Sequence, residues 1–367
     1  MDNTLQTNEE IEGIDTGDEI SLGDYPIDTV LIRPETRTVQ DIMRRIDKGA
    51  FIMDPDFQRE FIWPEDKQSK LIESVLMRIP LPVFYLAENS EGRMIVVDGL
   101  QRLSTFQRFV HNEFALTFKS EEGWQKNELD KKTFSQLPVK LQNRIEDCNL
   151  IIYIIDAKVP PQAMLDIFER VNGGMPLTRQ QMRNCLYAGP ATRFLKTTAA
   201  SGEFLETVGG RNSLDHKKMR DREFINRFCA FHLLGIEEYR GAMDNFLAKT
   251  LERMNGMDET ELGRLQEQFC TSMVNNKAVF GINAFRKPPT SGQQRKPINA
   301  ALWDILSTGL SRYDTPVVES HADALRDGLY QLLKNPTFED SVTYATNNIK
   351  QVKHRFDCMQ NLLDEIF

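Results

Sequence analysis

Cysteine is scarce in this chain of 367 residues, and the five present, Cys148, Cys185, Cys229, Cys270 and Cys358, stand far apart. Their odd number and wide spacing argue against a disulfide framework and a paired-cysteine zinc site. A reducing, cytoplasmic setting is the resulting expectation. No apolar run approaches the roughly 18 residues that a membrane span needs. The first residues hold no basic stretch leading into an apolar one, so no signal peptide is expected. His111, His216, His232, His321 and His354 fall at no metal-ligand spacing. The Gly-x-x-x-x-Gly-Lys-Ser/Thr loop of the P-loop enzymes is missing, and no repeat recurs at a fixed period.

Positive charge is also short. The formal net charge is -9, but residues 1–24 contribute Asp2, Glu9, Glu10, Glu12, Asp15, Asp18, Glu19 and Asp24 without one Lys or Arg. The rest of the chain is therefore nearly neutral, which gives no support for non-specific nucleic-acid binding but leaves a local basic groove open. Residues 1–24 read as a disordered acidic tail, either solubilising or partner-binding. What remains, 40% hydrophobic and 27% charged, is ordinary for a globular protein, and the length suits two domains.

From Tyr25 the pattern becomes structured. Thr29–Ile32 reads as a strand and Thr38–Ile46 as a short capped helix. Pro64 opens a helix with apolar Leu71, Ile72, Val75, Leu76 and Ile79, closed by Pro80 and Pro82. Val83–Leu86 and Met94–Val97 read as strands around an Asn89–Gly92 turn. A helix then runs to about Asn112, and Asn149–Ile155 is a further β-branched strand. Helical periodicity dominates afterwards, over 161–171, 178–187, 217–234, 240–254, 258–276, 297–311, 317–334 and 338–364, with a polar loop at Phe285–Lys296. The fold class expected is α+β: a mixed domain over 25–190 and a mostly α-helical domain over 191–367.

The sharpest local feature is Met94-Ile-Val-Val-Asp98-Gly99-Leu100-Gln101-Arg102, where a strand ends in Asp-Gly and a helix begins at once. Glycine lets the backbone turn tightly and leaves its N–H groups uncovered. The first turn of a helix offers unpaired N–H groups and the positive end of a dipole, for which phosphate is a natural ligand. Arg102 falls within that turn, and its planar fork suits phosphate oxygens. Asp98 either holds Mg2+, orients a water, or simply caps the helix. Gly292-Gln293-Gln294-Arg295 mimics this motif, but no strand or Asp precedes it, and it reads as a solvated loop or a phosphate-backbone contact.

Four motifs occur in order: Asp56-Phe57-Gln58-Arg59-Glu60-Phe61-Ile62-Trp63, then Lys70 to Pro82, then the Asp98 junction, then Phe168-Glu169-Arg170-Val171-Asn172-Gly173-Gly174-Met175-Pro176-Leu177 with Arg183-Asn184. Together they closely resemble the family that forms the N-terminal half of the GmrSD modification-dependent restriction enzymes, over roughly residues 25–190. That resemblance implies a ParB/sulfiredoxin-like fold with an Asp-Gly-Gln-Gln-Arg signature, and nucleoside triphosphate binding and hydrolysis with Mg2+, in bacterial defence against phage. Asp98, Gly99, Gln101 and Arg102 match the signature position by position, which implies catalytic roles for Asp98 and Gln101 and phosphate binding for Gly99 and Arg102. Leu100 stands where the family usually has Gln, a departure that bears on hydrolysis more than on phosphate binding. Gln58 and Arg59 match a second motif; Arg59 is either another phosphate ligand or paired to a local carboxylate. Arg170 and Asn172 either close over the nucleotide or cap a turn, and Arg183 and Asn184 brace it. Phe57 and Trp63 are core residues or stack on a base.

Many relatives carry an HNH-type nuclease half, and residues 190–367 offer no comparable His and Asn cluster. Sulfiredoxin chemistry needs a Cys within the signature, where Leu100 or Gln101 stands here. Three functions remain: an NTP-hydrolysing component of a defence system; a non-catalytic nucleotide-sensing or DNA-binding subunit that acts through a partner nuclease; and a ParB-like metal-dependent nuclease using Asp98. For the C-terminal helices, dimerisation, DNA binding and partner docking all stay open.

Overall fold

The computed structural model describes residues 32–53, 63–89, 91–118, 128–159, 163–164, 167, 178–210, 213–214, 218–288 and 296–367. The acidic tail, Thr29 to Leu31 of the expected first strand, most of the expected helix at 161–171, and the Gly292–Arg295 mimic lie outside them. The chain packs as two compact units, one of Ser21–Leu177 and one containing Thr178–Phe367.

In the first unit, β1 (Ile32–Thr38), α1 (Val39–Asp47), β2 (Phe51–Ile52), α2 (Glu65–Leu76), β3 (Phe84–Glu88), β4 (Met94–Asp98), α3 (Leu100–Val110), α4 (Val139–Glu146) and β5 (Asn149–Ile155) follow in order. The five strands form one mixed sheet, ordered β1-β5-β3-β4-β2. β1 is antiparallel to β5, β3 is parallel to β5 and antiparallel to β4, and β2 is parallel to β4. The expected turn joins β3 to β4: Asn89 Oδ1 accepts the N–H groups of Glu91 and Arg93, and Gly92 supplies the positive φ. Helices cover one face of the central strands, where Phe84, Leu86, Val96, Ile152 and Ile154 share one core with α1, α2 and α3, while Ile151 on the other face of β5 is 49% exposed.

β1 runs to Thr38, well beyond the strand expected from Thr29–Ile32. Its sequence, IRPETRT, is too polar to announce a strand, and Pro34 argues against one. An edge position explains both, since an edge strand needs only one row of partners and its residues alternate between exposed and half-buried.

The second unit is helical: α5 (Arg179–Leu186), α6 (Pro190–Ala199), α7 (Gly202–Val208), α8 (Arg220–Leu233), α9 (Met243–Asn255), α10 (Glu259–Phe280), α11 (Ala300–Leu310), α12 (Thr315–Ser320), α13 (Ala322–Leu332), α14 (Pro336–Thr343) and α15 (Ile349–Ile366). The central α11 is buried almost throughout, and its Trp303 meets the rings of Phe204, Phe224 and Phe285 while donating Nε1–H to Phe224 O at 2.8 Å. Two expected helices are each split. The break within 317–334 falls at His321. That within 338–364 runs through Ala345, at φ +46°, until Asn348 recaps the chain by accepting from Lys350 N–H. The start of the expected solvated loop is buried, with Arg286 donating to the carbonyls of Ala284 and Val208.

Candidate phosphate-binding junction

β4 delivers Asp98 to the end of the sheet, and Gly99 turns the chain directly into α3. Gly99 sits at φ +98°, ψ +8°, the left-handed region where a Cβ is strained. It is also pressed against its neighbours: an added Cβ would lie 2.3 Å from Cδ1 of Phe84, 2.9 Å from its Cε1 and 3.2 Å from Arg102 Nη2. Only glycine satisfies both constraints. Having no side chain, it cannot cap α3, and among the described residues no other side chain does so. The capping role open to Asp98 in the sequence is therefore not the one it plays.

Asp98 instead accepts from Arg102 Nη2, with Oδ2 at 2.7 Å. Arg102 is 8% exposed. Its Nη1 donates to Pro82 O, its Nη2 also reaches Val83 O at 3.1 Å, and the guanidinium lies 4.2 Å above the Phe84 ring. Burial pushes the Arg102 guanidinium below its ordinary value, while the Asp98 carboxylate works in the opposite direction. Arg102 thus staples the approach to β3 onto the first turn of α3. From sequence Arg102 is expected to face a phosphate; the tie to two carbonyls is not legible there, because carbonyl acceptors leave no signature in residue types.

Gln101 points elsewhere. Its Oε1 accepts the Trp63 N–H at 3.0 Å, while Trp63 O accepts from Gln68 Nε2 and Gln68 Oε1 accepts from Arg108 Nη1 at 2.9 Å. This chain of bonds fixes the residues before α2 on the start of α3. Gln68 and Arg108 were not singled out from sequence, although Gln68 is a polar residue on the buried face of α2, a pattern that asks for a partner. Leu100 is 8% exposed and belongs to the apolar core. A glutamine there would place its amide among apolar side chains, so Leu100 is not a missing polar wall.

Asp98, Gly99, Gln101 and Arg102 therefore come together at one junction. Gln58, Arg59, Arg170 and Asn172 lie outside the described residues. Arg183 and Asn184 belong to the helical unit, where Arg183 pairs with Asp244 and bonds Gln180, and Asn184 bonds Gln180 and Met219. Burial raises the Asp244 carboxyl, but Arg183 and Arg179 together hold it below the usual carboxylate range. A further buried cluster escaped sequence reading: Asp304 is fully buried, bidentate to Arg227 at 2.8 and 2.6 Å and bonded to Arg355 at 2.8 Å. Its one visible sign is an aspartate inside the apolar run Ala300–Leu306.

Among the described residues, no three His, Cys, Asp or Glu side chains converge as a metal cage, and no helix is long and apolar enough to cross a membrane. No curated protein matches the chain. Residues 39–188 match the family described as "GmrSD restriction endonuclease, N-terminal domain". That segment holds β2 to β5, the Asp98–Arg102 junction and α5, and its match supports the GmrSD N-terminal domain family for this part of the chain.

Proposed function

We propose that this protein is a nucleoside triphosphate-binding and hydrolysing component of a bacterial restriction or anti-phage defence system. The family match supports the system. The observation that carries the nucleotide reading is the start of α3: a helix of 11 residues whose first-turn N–H groups meet no capping side chain among the described residues, opening directly behind a strand-end carboxylate. Such a turn binds an anion through backbone N–H groups and the helix dipole. In this reading the backbone at Gly99 to Gln101 cradles phosphate. Arg102 acts chiefly by holding the junction in shape and by setting a buried positive charge behind it.

Asp98 fits a hard cation. Its Oδ2 is taken by Arg102, Oδ1 has no hydrogen-bond partner among the described residues, and the side chain is 35% exposed. Magnesium is commonly held by one or two carboxylates with the rest of its shell from phosphate and water. When bound, it would neutralise phosphate charge and orient the triphosphate. Arg59 is four residues from Trp63, whose N–H is fixed on Gln101. In this reading Arg59 is the candidate for a second cation.

One observation favours a second reading, nucleotide sensing without turnover through a partner nuclease or DNA. Gln101 spends its side-chain carbonyl on Trp63 N–H rather than on an attacking water. Phosphate release measured with each ribonucleoside triphosphate and Mg2+, with and without DNA, separates the two. Release that Asp98→Asn abolishes while binding persists supports hydrolysis. Binding without release under every condition supports sensing.

A further inference from the structure

A second feature of the sheet unit lies at the C-terminal end of α2. The backbone closes there by a Schellman pattern, with Ile79 N–H reaching Ser74 O and Arg78 N–H reaching Val75 O, both at 2.9 Å. The left-handed position of that motif normally belongs to Gly or Asn; here it is Arg78, at φ +60°. Beside it is a cleft of 510 Å3 between the ends of α2 and α4, lined by Arg78, Lys140 and Arg144 together with Ile79, Leu81 and Cys148. Arg144 donates to Leu76 O at 2.9 Å, whereas Arg78 and Lys140 are exposed and have no ion-pair partner among the described residues. Asp147 is the carboxylate on the same wall. Of the lining side chains Ile79 is 47% exposed, and Met77 and Val139, the chain neighbours of Arg78 and Lys140, are 57% and 70% exposed. Unpaired cations interleaved with bare aliphatic groups match a ligand that is acidic and aliphatic at once.

The chain contains such a ligand. Between Glu9 and Asp24, seven carboxylates alternate with Ile11, Ile14, Ile20 and Leu22, without a Lys or Arg. The lengths agree. Val39 N–H bonds Cys148 O at 3.0 Å, so the cleft lies at the far end of β1 from Ile32. That strand of seven residues covers about 20 Å, and residues 25–31, fully extended, reach about 24 Å. We propose that the acidic segment 9–24 docks in this basic, apolar-rimmed cleft of its own chain. Pro82 and Val83, whose carbonyls hold Arg102, directly follow the cleft residue Leu81. Occupancy of the cleft therefore bears on the segment that shapes the α3 junction, and the tail screens the cleft from other polyanions.

Zero-length carbodiimide cross-linking of the full chain, mapped by mass spectrometry, tests this. Docking predicts amides between Lys140 and carboxylates of residues 9–24 in the monomer fraction, enriched over those to the exposed Lys131 and Lys158, with a yield independent of protein concentration. Arg78→Glu leaves Lys140 and the tail intact and should cut that yield about threefold to fivefold, as expected for losing one exposed ion pair. Alkylation of Cys148, followed at its own peptide, should accelerate in the same variant, with unchanged hydrogen exchange of the β3 and β4 peptides as the sign of an intact sheet unit. Tail cross-links spread evenly over the lysines, or a Lys140 yield unchanged by Arg78→Glu, overturn the proposal. Cross-links that appear only in dimers would reassign the cleft to a second copy. Retardation of DNA that Arg78→Glu abolishes, without tail cross-links, would reassign it to nucleic acid.

Discussion

Replacing Gly99 by alanine tests the geometry of the junction most sharply, because two separate costs fall on one atom. Backbone strain at φ +98° costs a residue with a Cβ about 1–2 kcal/mol. The Cβ would also stand 2.3 Å from Phe84 Cδ1, in the middle of the sheet core, where overpacking typically costs about 1–3 kcal/mol. Together they give about 2–5 kcal/mol. For a domain of this size each kcal/mol lowers the midpoint by roughly 2–4 °C. Gly92→Ala is the internal control, since Gly92 has φ +75° but nothing within 4 Å of its missing Cβ. It should lose only the strain, about 1 kcal/mol. Urea unfolding of both variants, followed by hydrogen exchange at the β3 and β4 peptides of the sheet unit, reads the difference. Equal losses for Gly92→Ala and Gly99→Ala would show that Phe84 does not press on the junction, and the packing argument would fall.

Arg102→Ala should cost stability as well as ligand affinity, because it strips donors from Pro82 O and Val83 O; a loss of about 2–4 kcal/mol in denaturant is expected, and an unchanged midpoint would contradict the stapling role. Leu100→Gln should destabilise the sheet unit by about 1–3 kcal/mol rather than restore turnover, since the amide enters an apolar core; a gain in phosphate release would refute this. Asp304→Asn leaves Arg227 and Arg355 buried without a counter-charge and should cost the helical unit about 3–5 kcal/mol, read from its thermal transition. Asp244 has a folded pKa held below its unfolded value, so its contribution is present above the unfolded pKa, near 4, and is lost as pH falls through the lower folded pKa. Asp244→Asn should flatten the acid limb of the helical unit's stability curve below about pH 4 while lowering stability at pH 7; an unchanged acid limb would remove Asp244 from it.

Much of the fold was legible where local chemistry decides it. The strand–Asp-Gly–helix junction at 94–110, the Asn89–Gly92 turn and the β-branched run at 149–155 all appear because alternation, turn residues and glycine act over a few residues. β1 was hidden, because its position at the sheet edge removes the apolar alternation that advertises a strand. The split helices at His321 and Ala345 were hidden for another reason: apolar periodicity carries through a break of a few residues, and only the caps reveal it. At the junction, sequence brought Asp98, Gly99, Gln101 and Arg102 together but could not tell what each side chain faces. Arg102 turned out to hold carbonyls, Gln101 to hold Trp63 and Leu100 to fill the core. These are tertiary contacts with partners 15 to 40 residues away, and residue type alone does not select among them.

Hydrogen exchange on the full chain, with and without each ribonucleoside triphosphate and Mg2+, asks the decisive question without relying on a variant that could unfold. If the start of α3 holds phosphate, peptides covering Gly99 to Leu103 slow their exchange on addition of the bound nucleotide, at unchanged salt, and peptides of the helical core such as Ala300–Leu310 do not. Nucleotide binding that protects other segments while Gly99 to Leu103 exchanges as before, or no protection by any triphosphate, would remove the junction as the phosphate site.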